Sequence, residues 1–166
     1  GLVEGYYHDV HASKVVLDTN RLWCSKLPAV RRLFPGAKVI CCVRDVPWVY
    51  DSVEKLIRAN ALQPSKLFNF DAGGTVYDRF DLLNRSNGLV GFAWASLREA
   101  YFSEHAPSLL LVTYETLTQD PGRALDEIYD FIGEPRYAHS FDSIEFDVAE
   151  FDRRLGTPGL HRVGAK

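Results

Sequence analysis

The stretch Lys38–Ser52, KVICCVRDVPWVYDS, decides how the rest of the chain folds. It contains a short apolar run, Val39–Val43, which ends at the charged pair Arg44 and Asp45. An apolar run of this length, bounded by charged residues, is typical of a strand buried in a parallel sheet. Pro47 then suits the first turn of a helix, because the N–H that proline lacks would have no partner there. The stretch therefore predicts a strand, a short turn and a helix.

Arg44 is placed by this pattern at the carboxyl end of a strand, which is the edge where open α/β sheets bind their ligands. Ser52 follows on the helix that leaves the same edge. A guanidinium and a hydroxyl that converge on one point can bind a phosphate group. The alternative is that Arg44 pairs with Asp45 or Glu54 on the surface and that Ser52 is an ordinary helix residue. This stretch alone leaves both interpretations open.

A second stretch, Ser108–Gly133, repeats the same order of elements. Its sequence is SLLLVTYETLTQDPGRALDEIYDFIG. An apolar strand ends near Tyr114, a turn follows at Asp120, and an amphipathic helix continues until Gly133, which is placed to end it. Strands that alternate with helices predict a parallel sheet with helices on its faces.

Together the two stretches resemble the sulfotransferase superfamily, whose sulfuryl donor is 3′-phosphoadenosine 5′-phosphosulfate (PAPS). In that family a strand ends in Arg-Asp, and a Ser eight positions after the Arg helps it hold the 3′-phosphate of the donor. Arg44 and Ser52 have that spacing. The segment Tyr114–Leu117, of the form Tyr-Glu-x-Leu, and the Asp-Pro pair at Asp120 are equally typical. The resemblance runs from about Val15 to the end of the chain.

The resemblance implies an α/β fold with a parallel sheet flanked by helices, a partial P-loop-like sulfotransferase fold. At the carboxyl edge of that sheet, we predict that Arg44, Ser52 and Tyr114 converge on one anion site. His161 and Arg162 are further candidates for binding the donor, because the late segment of family members often folds back over it.

The segment Leu17–Trp23, LDTNRLW, resembles the part of the family that lies beside the sulfuryl group. Where relatives have Asn-Lys-Asp, Asn20 aligns with the Asn and Arg21 takes the place of the Lys. A cation there could neutralise charge on the bridging oxygen as the sulfuryl group departs. The alternative is a local ion pair between Asp18 and Arg21, with Asn20 forming a turn.

The general base cannot be identified in this chain. In relatives with Lys-Thr-His, the catalytic His would align with Asn20, which cannot act as a base. In the tyrosylprotein branch the base is a Glu from an upstream segment, so the chain resembles that bacterial or tyrosylprotein-like branch more than the cytosolic small-molecule branch.

The family normally begins with a Gly- and Ser-rich loop that binds the 5′-phosphosulfate through backbone N–H groups. The Gly-rich run Asp71–Thr75 has neither a strand nor a Lys beside it and is interpreted as a plain loop. The chain also stops at Lys166, where relatives usually continue. We therefore expect a truncated domain. If the phosphate loop is absent from the molecule itself, the domain should bind the 3′-phosphate weakly and should not catalyse, and it either forms a homodimer over its open sheet edge or has lost an ordered N-terminal segment.

Composition sets consistent limits on the class of protein. The chain has 166 residues, of which 46% are hydrophobic and 25% charged, so we predict a single domain over residues 1–166. A net charge of -3 argues against a nonspecific nucleic-acid binder. No apolar run reaches the length of a membrane span, and the chain from Gly1 does not resemble a signal peptide.

The three cysteines are Cys24, Cys41 and Cys42. Adjacent residues of a strand point to opposite faces, so Cys41 and Cys42 cannot easily pair with each other. We interpret all three as small apolar residues in a reducing compartment, which predicts a cytoplasmic protein.

No metal is expected, because the family transfers sulfuryl groups without one and because the acids near the end of the chain predict a solvated face. Those acids are Asp142, Glu145, Asp147, Glu150 and Asp152.

The predicted elements are three parallel strands and four helical segments. The strands are Lys14–Asp18, Lys38–Arg44 and Ser108–Tyr114. The helices are Cys24–Leu33, Pro47–Ala59, Asp78–His105 with a break near Asn87, and Gly122–Ile132. A short helical piece is expected at Leu2–Tyr7, and the long loop Asn60–Tyr77 is expected to border the acceptor pocket.

The function implied is transfer of a sulfuryl group from PAPS to an acceptor hydroxyl or amine of a small molecule, carbohydrate or peptide. Two other classes stay open at this stage. One is a truncated or degenerate module that binds a nucleotide or a protein partner without catalysis. The other is a P-loop kinase-like phosphotransferase, against which the missing Walker-type Lys and the pair of Arg44 and Ser52 both argue.

Overall fold

The computed structural model describes residues 15–59, 74–142, 144 and 146–163. Two strands form the sheet of the described residues, β1 (Val39–Val43) and β2 (Leu109–Thr113). The α-helices of the described residues are α1 (Leu27–Leu33), α2 (Val46–Ala59), α3 (Val76–Asn84), α4 (Leu89–Tyr101), α5 (Tyr114–Gln119), α6 (Pro121–Ile132) and α7 (Ala149–Leu155). Single 3₁₀ turns span Cys24–Lys26 and Ala106–Ser108.

The two strands pair in parallel, with Val39 opposite Leu109 and Val43 opposite Thr113. Parallel strands cannot be joined by a tight hairpin, and helices α2, α3 and α4 lie between them in the chain. The predicted α/β class, with a parallel sheet flanked by helices, is confirmed. The parallel register also places the carboxyl ends of β1 and β2 at one edge of the sheet.

A small apolar cluster fixes one face of the sheet. Leu27 of α1, Val39 of β1 and Ala100 of α4 are buried against each other, with Trp23, Cys24 and Leu109 packed around them. Leu27 is fully buried, and removing a side chain of this size from water contributes roughly 1.5–3 kcal/mol. Helices α1 and α4 therefore share the face of β1 that carries Val39.

Helix α6 begins and ends where the sequence predicts. The side chain of Asp120 accepts a hydrogen bond from the backbone N–H of Arg123 at 3.1 Å, and Pro121 occupies the first position of the helix. Gly133 follows the last turn with φ of 79°, a left-handed conformation that favours glycine. The Asp-Pro pair and the glycine are thus the start and stop signals of this helix.

Helix α3 is connected to α2 by an ion pair. Arg79 contacts the Glu54 carboxylate through Nε at 2.9 Å and Nη2 at 2.6 Å, and its two donors bind both carboxylate oxygens. The side chains of Arg79 and Glu54 are only 17% and 20% exposed. Hydrogen bonds from Arg79, and secondarily from Arg58, hold the pKa of Glu54 below its usual value, although burial acts in the opposite direction. Glu54 is therefore not a partner of Arg44, which was one of the alternatives for this arginine.

The prediction of a strand at Lys14–Asp18 is wrong for the part of this segment that the structure describes. Residues 15–20 have no regular secondary structure, and Val15, Val16 and Leu17 are at least 45% exposed. An apolar run shows only that a segment could pair, whereas a strand needs a partner, and none of the described strands pairs with this segment. Lys14 lies outside the described residues.

The other predicted elements differ less from the structure. The predicted break near Asn87 is confirmed, because α3 ends at Asn84 and α4 begins at Leu89. The predicted loop Asn60–Tyr77 ends earlier than expected, since α3 already begins at Val76, and most of that loop lies outside the described residues, as does the helical piece Leu2–Tyr7.

Helix α5 was not predicted. It is capped by Thr113, whose hydroxyl accepts a hydrogen bond from the backbone N–H of Thr116 at 3.1 Å.

None of the helices in the described part of the chain is long and apolar enough to cross a membrane.

Arg79→Ala should lower the free energy of unfolding by about 2 kcal/mol at neutral pH, because it leaves the largely buried Glu54 carboxylate without its main partner. The matched control is Arg58→Ala, which removes an exposed partner of the same carboxylate and should cost no more than about 0.5 kcal/mol. Urea unfolding measures both.

The pH dependence follows from the lowered pKa of Glu54. A carboxylate with a depressed folded pKa stabilises the fold above its unfolded pKa, about 4.3, and this contribution is lost as the pH falls through the folded value. The difference between the two variants should therefore shrink below about pH 4. Equal losses for both variants at neutral pH would contradict this account of the ion pair.

Candidate active site

Arg44 and Tyr114 meet at the carboxyl edge of the sheet. Each directly follows a strand, and the last residues of those strands, Val43 and Thr113, are register partners. The guanidinium carbon of Arg44 lies 4.2 Å from the centroid of the Tyr114 ring. This is a cation–π contact, in which the ring face attracts the cation. Two residues that are far apart in sequence are thereby brought together by the pairing of two strands.

The Arg44 guanidinium keeps unused hydrogen-bonding capacity. Its Nε is buried and has no hydrogen-bond partner in the part of the chain that the structure describes. A buried donor without an acceptor costs on the order of 1–3 kcal/mol. No carboxylate among the described residues forms an ion pair with Arg44, and Glu54 binds Arg79 and Arg58 instead. Among the described residues, no ion pair neutralises the Arg44 guanidinium, and its Nε–H is a hydrogen-bond donor without an acceptor.

Ser52 lies on the second turn of α2 and is exposed. Among the described residues none forms a hydrogen bond with its hydroxyl, and no hydrogen bond joins it to Arg44. The first turn of α2 contains no acidic residue, and Asp45 directly precedes it. The structure thus brings Arg44 and Tyr114 together, whereas the convergence of Ser52 with them stays a prediction.

Asn20 and Arg21 lie in the turn that precedes the first 3₁₀ segment. The side-chain oxygen of Asn20 accepts from the backbone N–H of Leu22 at 2.9 Å, so Asn20 does form a local turn. The Arg21 guanidinium lies over the ring of Phe92 of α4, 5.9 Å from its centroid. No hydrogen bond or ring contact among the described residues joins Asn20 or Arg21 to the pair of Arg44 and Tyr114.

His161 is held by Asp152 of α7. The Asp152 carboxylate accepts from the backbone N–H of His161 at 2.9 Å, and the His161 ring Nδ1 lies 2.5 Å from the other carboxylate oxygen. An Nδ1–H that donates to a carboxylate leaves Nε2 as the free ring nitrogen, on a side chain that is 41% exposed. Arg162 is exposed beside it.

The sequence predicted that the acids near the end of the chain form a solvated face, and this prediction is wrong for Asp152. Its side chain is fully buried, because the left-handed turn at Gly156 folds the chain back over it and Phe146 pairs with Val163. Burial raises the pKa of Asp152, but hydrogen bonds from the backbone and ring of His161 and from the backbone of Gly159 outweigh it, so that the pKa is lowered. Sequence reasoning missed this pair because no periodic pattern links the two residues.

The described residues offer no metal centre. No group of three or more His, Cys, Asp or Glu side chains that could hold a metal ion is found within the described ranges. Near the sheet edge the described residues include a guanidinium, an aromatic ring and hydroxyl groups, which suit the binding of an anion.

One protein family matches most of the chain. A family model described as the sulfotransferase domain matches residues 23–149. No curated protein and no solved structure matches the chain. The matched range includes Arg44, Ser52 and Tyr114, whereas Asn20 and His161 lie outside it. Because the match covers more than half of the 166 residues, the chain belongs to the sulfotransferase domain family.

Proposed function

We propose that the chain transfers a sulfuryl group from PAPS to an acceptor hydroxyl or amine, with Arg44 binding the 3′-phosphate of the donor. The observation that carries the proposal is the Arg44 guanidinium at the carboxyl edge of the sheet, stacked on Tyr114 and without a carboxylate partner among the described residues. When bound, PAPS supplies the sulfuryl group and leaves as adenosine 3′,5′-bisphosphate. The family match supports sulfuryl transfer in general.

Stacking on Tyr114 prepares Arg44 to bind an anion. The guanidinium carbon lies over the ring at 4.2 Å from its centroid, and the N–H donors lie in the plane of the guanidinium. A phosphate that approaches this plane would accept charge-assisted hydrogen bonds, each worth on the order of 1.5–3 kcal/mol. Tyr114 is thus proposed as the residue that orients Arg44 toward the phosphate.

Ser52 is proposed as the second contact of the 3′-phosphate. It lies on the helix that begins directly after Arg44 and Asp45, and its exposed hydroxyl has no partner among the described residues. The N–H groups of the first turn of α2 would add favourable electrostatics for an anion at this end of the helix.

Arg21 and Asn20 are proposed as catalytic residues and His161 and Arg162 as further donor contacts. Arg21 would neutralise charge on the oxygen that leaves with the bisphosphate, and the turn made by Asn20 would set the direction of the Arg21 side chain.

Asp152 keeps the His161 ring in one orientation, which leaves Nε2 able to contact an anion if the ring is protonated. The acceptor proposed is a small molecule, a carbohydrate or a peptide.

Calorimetric titration with adenosine 3′,5′-bisphosphate and with ATP tests this function against a kinase-like one. The bisphosphate should bind at least tenfold more tightly than ATP, because the proposed site is built around a 3′-phosphate that ATP lacks. Tighter binding of ATP would indicate a phosphotransferase, and failure to bind either nucleotide would indicate a module without a nucleotide site. Both results would contradict the proposal.

Arg44→Ala should weaken binding of adenosine 3′,5′-bisphosphate at least about tenfold, through loss of a charge-assisted hydrogen bond. Arg44→Lys should also lose affinity, because an ammonium lacks the planar fork of donors. The control is Arg58→Ala, which removes an exposed positive charge from α2 away from the sheet edge and should leave the dissociation constant within about twofold. An Arg44→Lys variant that binds as tightly as the parent chain would count against a guanidinium-specific site.

Tyr114→Leu should weaken bisphosphate binding about threefold, since a cation–π contact at a partly exposed site contributes about 0.5–1 kcal/mol. Tyr114→Phe keeps the ring face and should bind within about twofold of the parent chain. The same titration measures both variants. If Tyr114→Phe loses as much affinity as Tyr114→Leu, the hydroxyl rather than the ring face carries the role of Tyr114.

A further inference from the structure

Four aromatic side chains cluster on the outside of the protein, where α6 meets the segment that follows it. The His139 ring stacks with the rings of Tyr129 and Phe141, at centroid distances of 5.8 and 6.2 Å and an interplanar angle of 27° in both cases. The rings of Tyr137 and His139 meet edge to face, with their centroids 5.0 Å apart. These four residues are called the aromatic surface below.

Polar contacts attach this segment to α6, although residues 134–141 have no regular secondary structure. The Tyr129 hydroxyl and the His139 ring Nε2 form a hydrogen bond of 2.9 Å. The Arg136 guanidinium binds two carboxylates that lie one turn apart on the helix, Asp126 at 2.9 Å and Asp130 at 2.7 Å. Because the segment is attached at two points, the rings are held together before any ligand arrives, which lowers the entropy cost of binding one.

The aromatic surface is open to solvent. The side chain of Tyr137 is 71% exposed and that of Phe141 is 39% exposed. Within the described ranges, the ring contacts of these two residues are with His139 alone. An exposed apolar cluster with polar residues around it is typical of an interaction site, and tyrosine is enriched among the residues that dominate binding energy at interfaces.

The charge around the aromatic surface is negative. From Asp126 to Asp142 the sequence contains five acidic residues and one arginine, Arg136. Arg136 is bound by Asp126 and Asp130, whereas Glu134 and Asp142 form no ion pair with any residue that the structure describes. Asp142 directly follows Phe141 in the chain, and the backbone N–H of Glu134 donates to the carbonyl of Tyr129 at 3.1 Å. Carboxylates without a cation partner therefore flank the exposed rings.

We propose that the aromatic surface docks a basic peptide segment of a partner protein. A Lys or Arg side chain of the partner would lie over the Tyr137 ring in a cation–π contact, and neighbouring cations of the same segment would face Glu134 and Asp142. Charge complementarity selects this occupant, because an acidic segment would be repelled and a neutral one would gain only the apolar contact.

The same charges argue against a second copy of the chain as the occupant. A symmetric dimer through the aromatic surface would bring identical patches together, and each patch is acidic in a chain of net charge -3. The proposal concerns a surface separate from the pair of Arg44 and Tyr114, and it does not depend on which ligand that pair binds.

Fluorescence anisotropy of labelled peptides with the full 166-residue chain tests the proposal. A short peptide of alternating lysine and glycine should bind, and its affinity should fall as the salt concentration rises. Matched peptides of alternating serine and glycine, or of alternating glutamate and glycine, should bind at least about tenfold more weakly.

The rings and the carboxylates are tested by separate variants. Tyr137→Ala should weaken binding of the lysine peptide at least about threefold, and Tyr137→Phe, which keeps the ring face, should stay within about twofold of the parent chain. The control is Tyr77→Ala, which removes an 83% exposed tyrosine from α3 and should leave the affinity within about twofold. Circular dichroism checks that each variant is folded.

The double variant Glu134→Gln, Asp142→Asn should weaken binding of the lysine peptide and flatten its salt dependence, because it removes the two carboxylates without ion pairs. Asp81→Asn removes an exposed acid of α3 and is the matched control, which should leave both the affinity and the salt dependence of the parent chain.

Four results would overturn the proposal. The lysine peptide does not bind, or the serine peptide binds equally well, or Tyr77→Ala loses as much affinity as Tyr137→Ala. The fourth is a dimer seen by sedimentation equilibrium without peptide and abolished by Tyr137→Ala, which would show that a second copy occupies the aromatic surface.

Discussion

The parallel pairing of β1 with β2 is the constraint on which the candidate site depends. Because the strands run in the same direction and in register, the residues that follow them, Arg44 and Tyr114, emerge at one edge and stack. A shift of one residue in register would send these side chains to opposite faces. The cluster that contains Leu27 and Val39 holds the sheet in this arrangement, so the packing of one face supports the chemistry at its edge.

The distribution of ion pairs explains why Arg44 stays available. Glu54, the nearby acid that sequence reasoning offers as its partner, is bound by Arg79 and Arg58, and its depressed pKa keeps it charged and occupied. The same ion pair fastens α3 to α2. Structural stability and the positive charge of the site are thus linked, because the residue that could neutralise Arg44 is used to hold two helices together.

Local signals in the sequence predicted most of the elements, and long-range contacts account for the errors. The bounds of β1, β2, α2 and α6 follow from apolar runs bounded by charge, proline and glycine, and the structure agrees to within one or two residues.

The strand predicted at Lys14–Asp18 is wrong because an apolar run does not specify a pairing partner. Burial of Asp152 was missed because it depends on a return of the chain to His161. The contact of Arg44 with Tyr114 could be anticipated from two family motifs, whereas the position of Ser52 relative to them could not be fixed by spacing alone.

The central claim is that Arg44 recognises a phosphate on the 3′ position and not nucleotides in general. Calorimetry of the parent chain and of Arg44→Ala, each with adenosine 3′,5′-bisphosphate and with adenosine 5′-phosphate, forms a cycle that isolates this contact. The account predicts that the substitution weakens bisphosphate binding about tenfold or more and changes binding of the 5′-phosphate less than about twofold. Equal losses of affinity for the two ligands would contradict it.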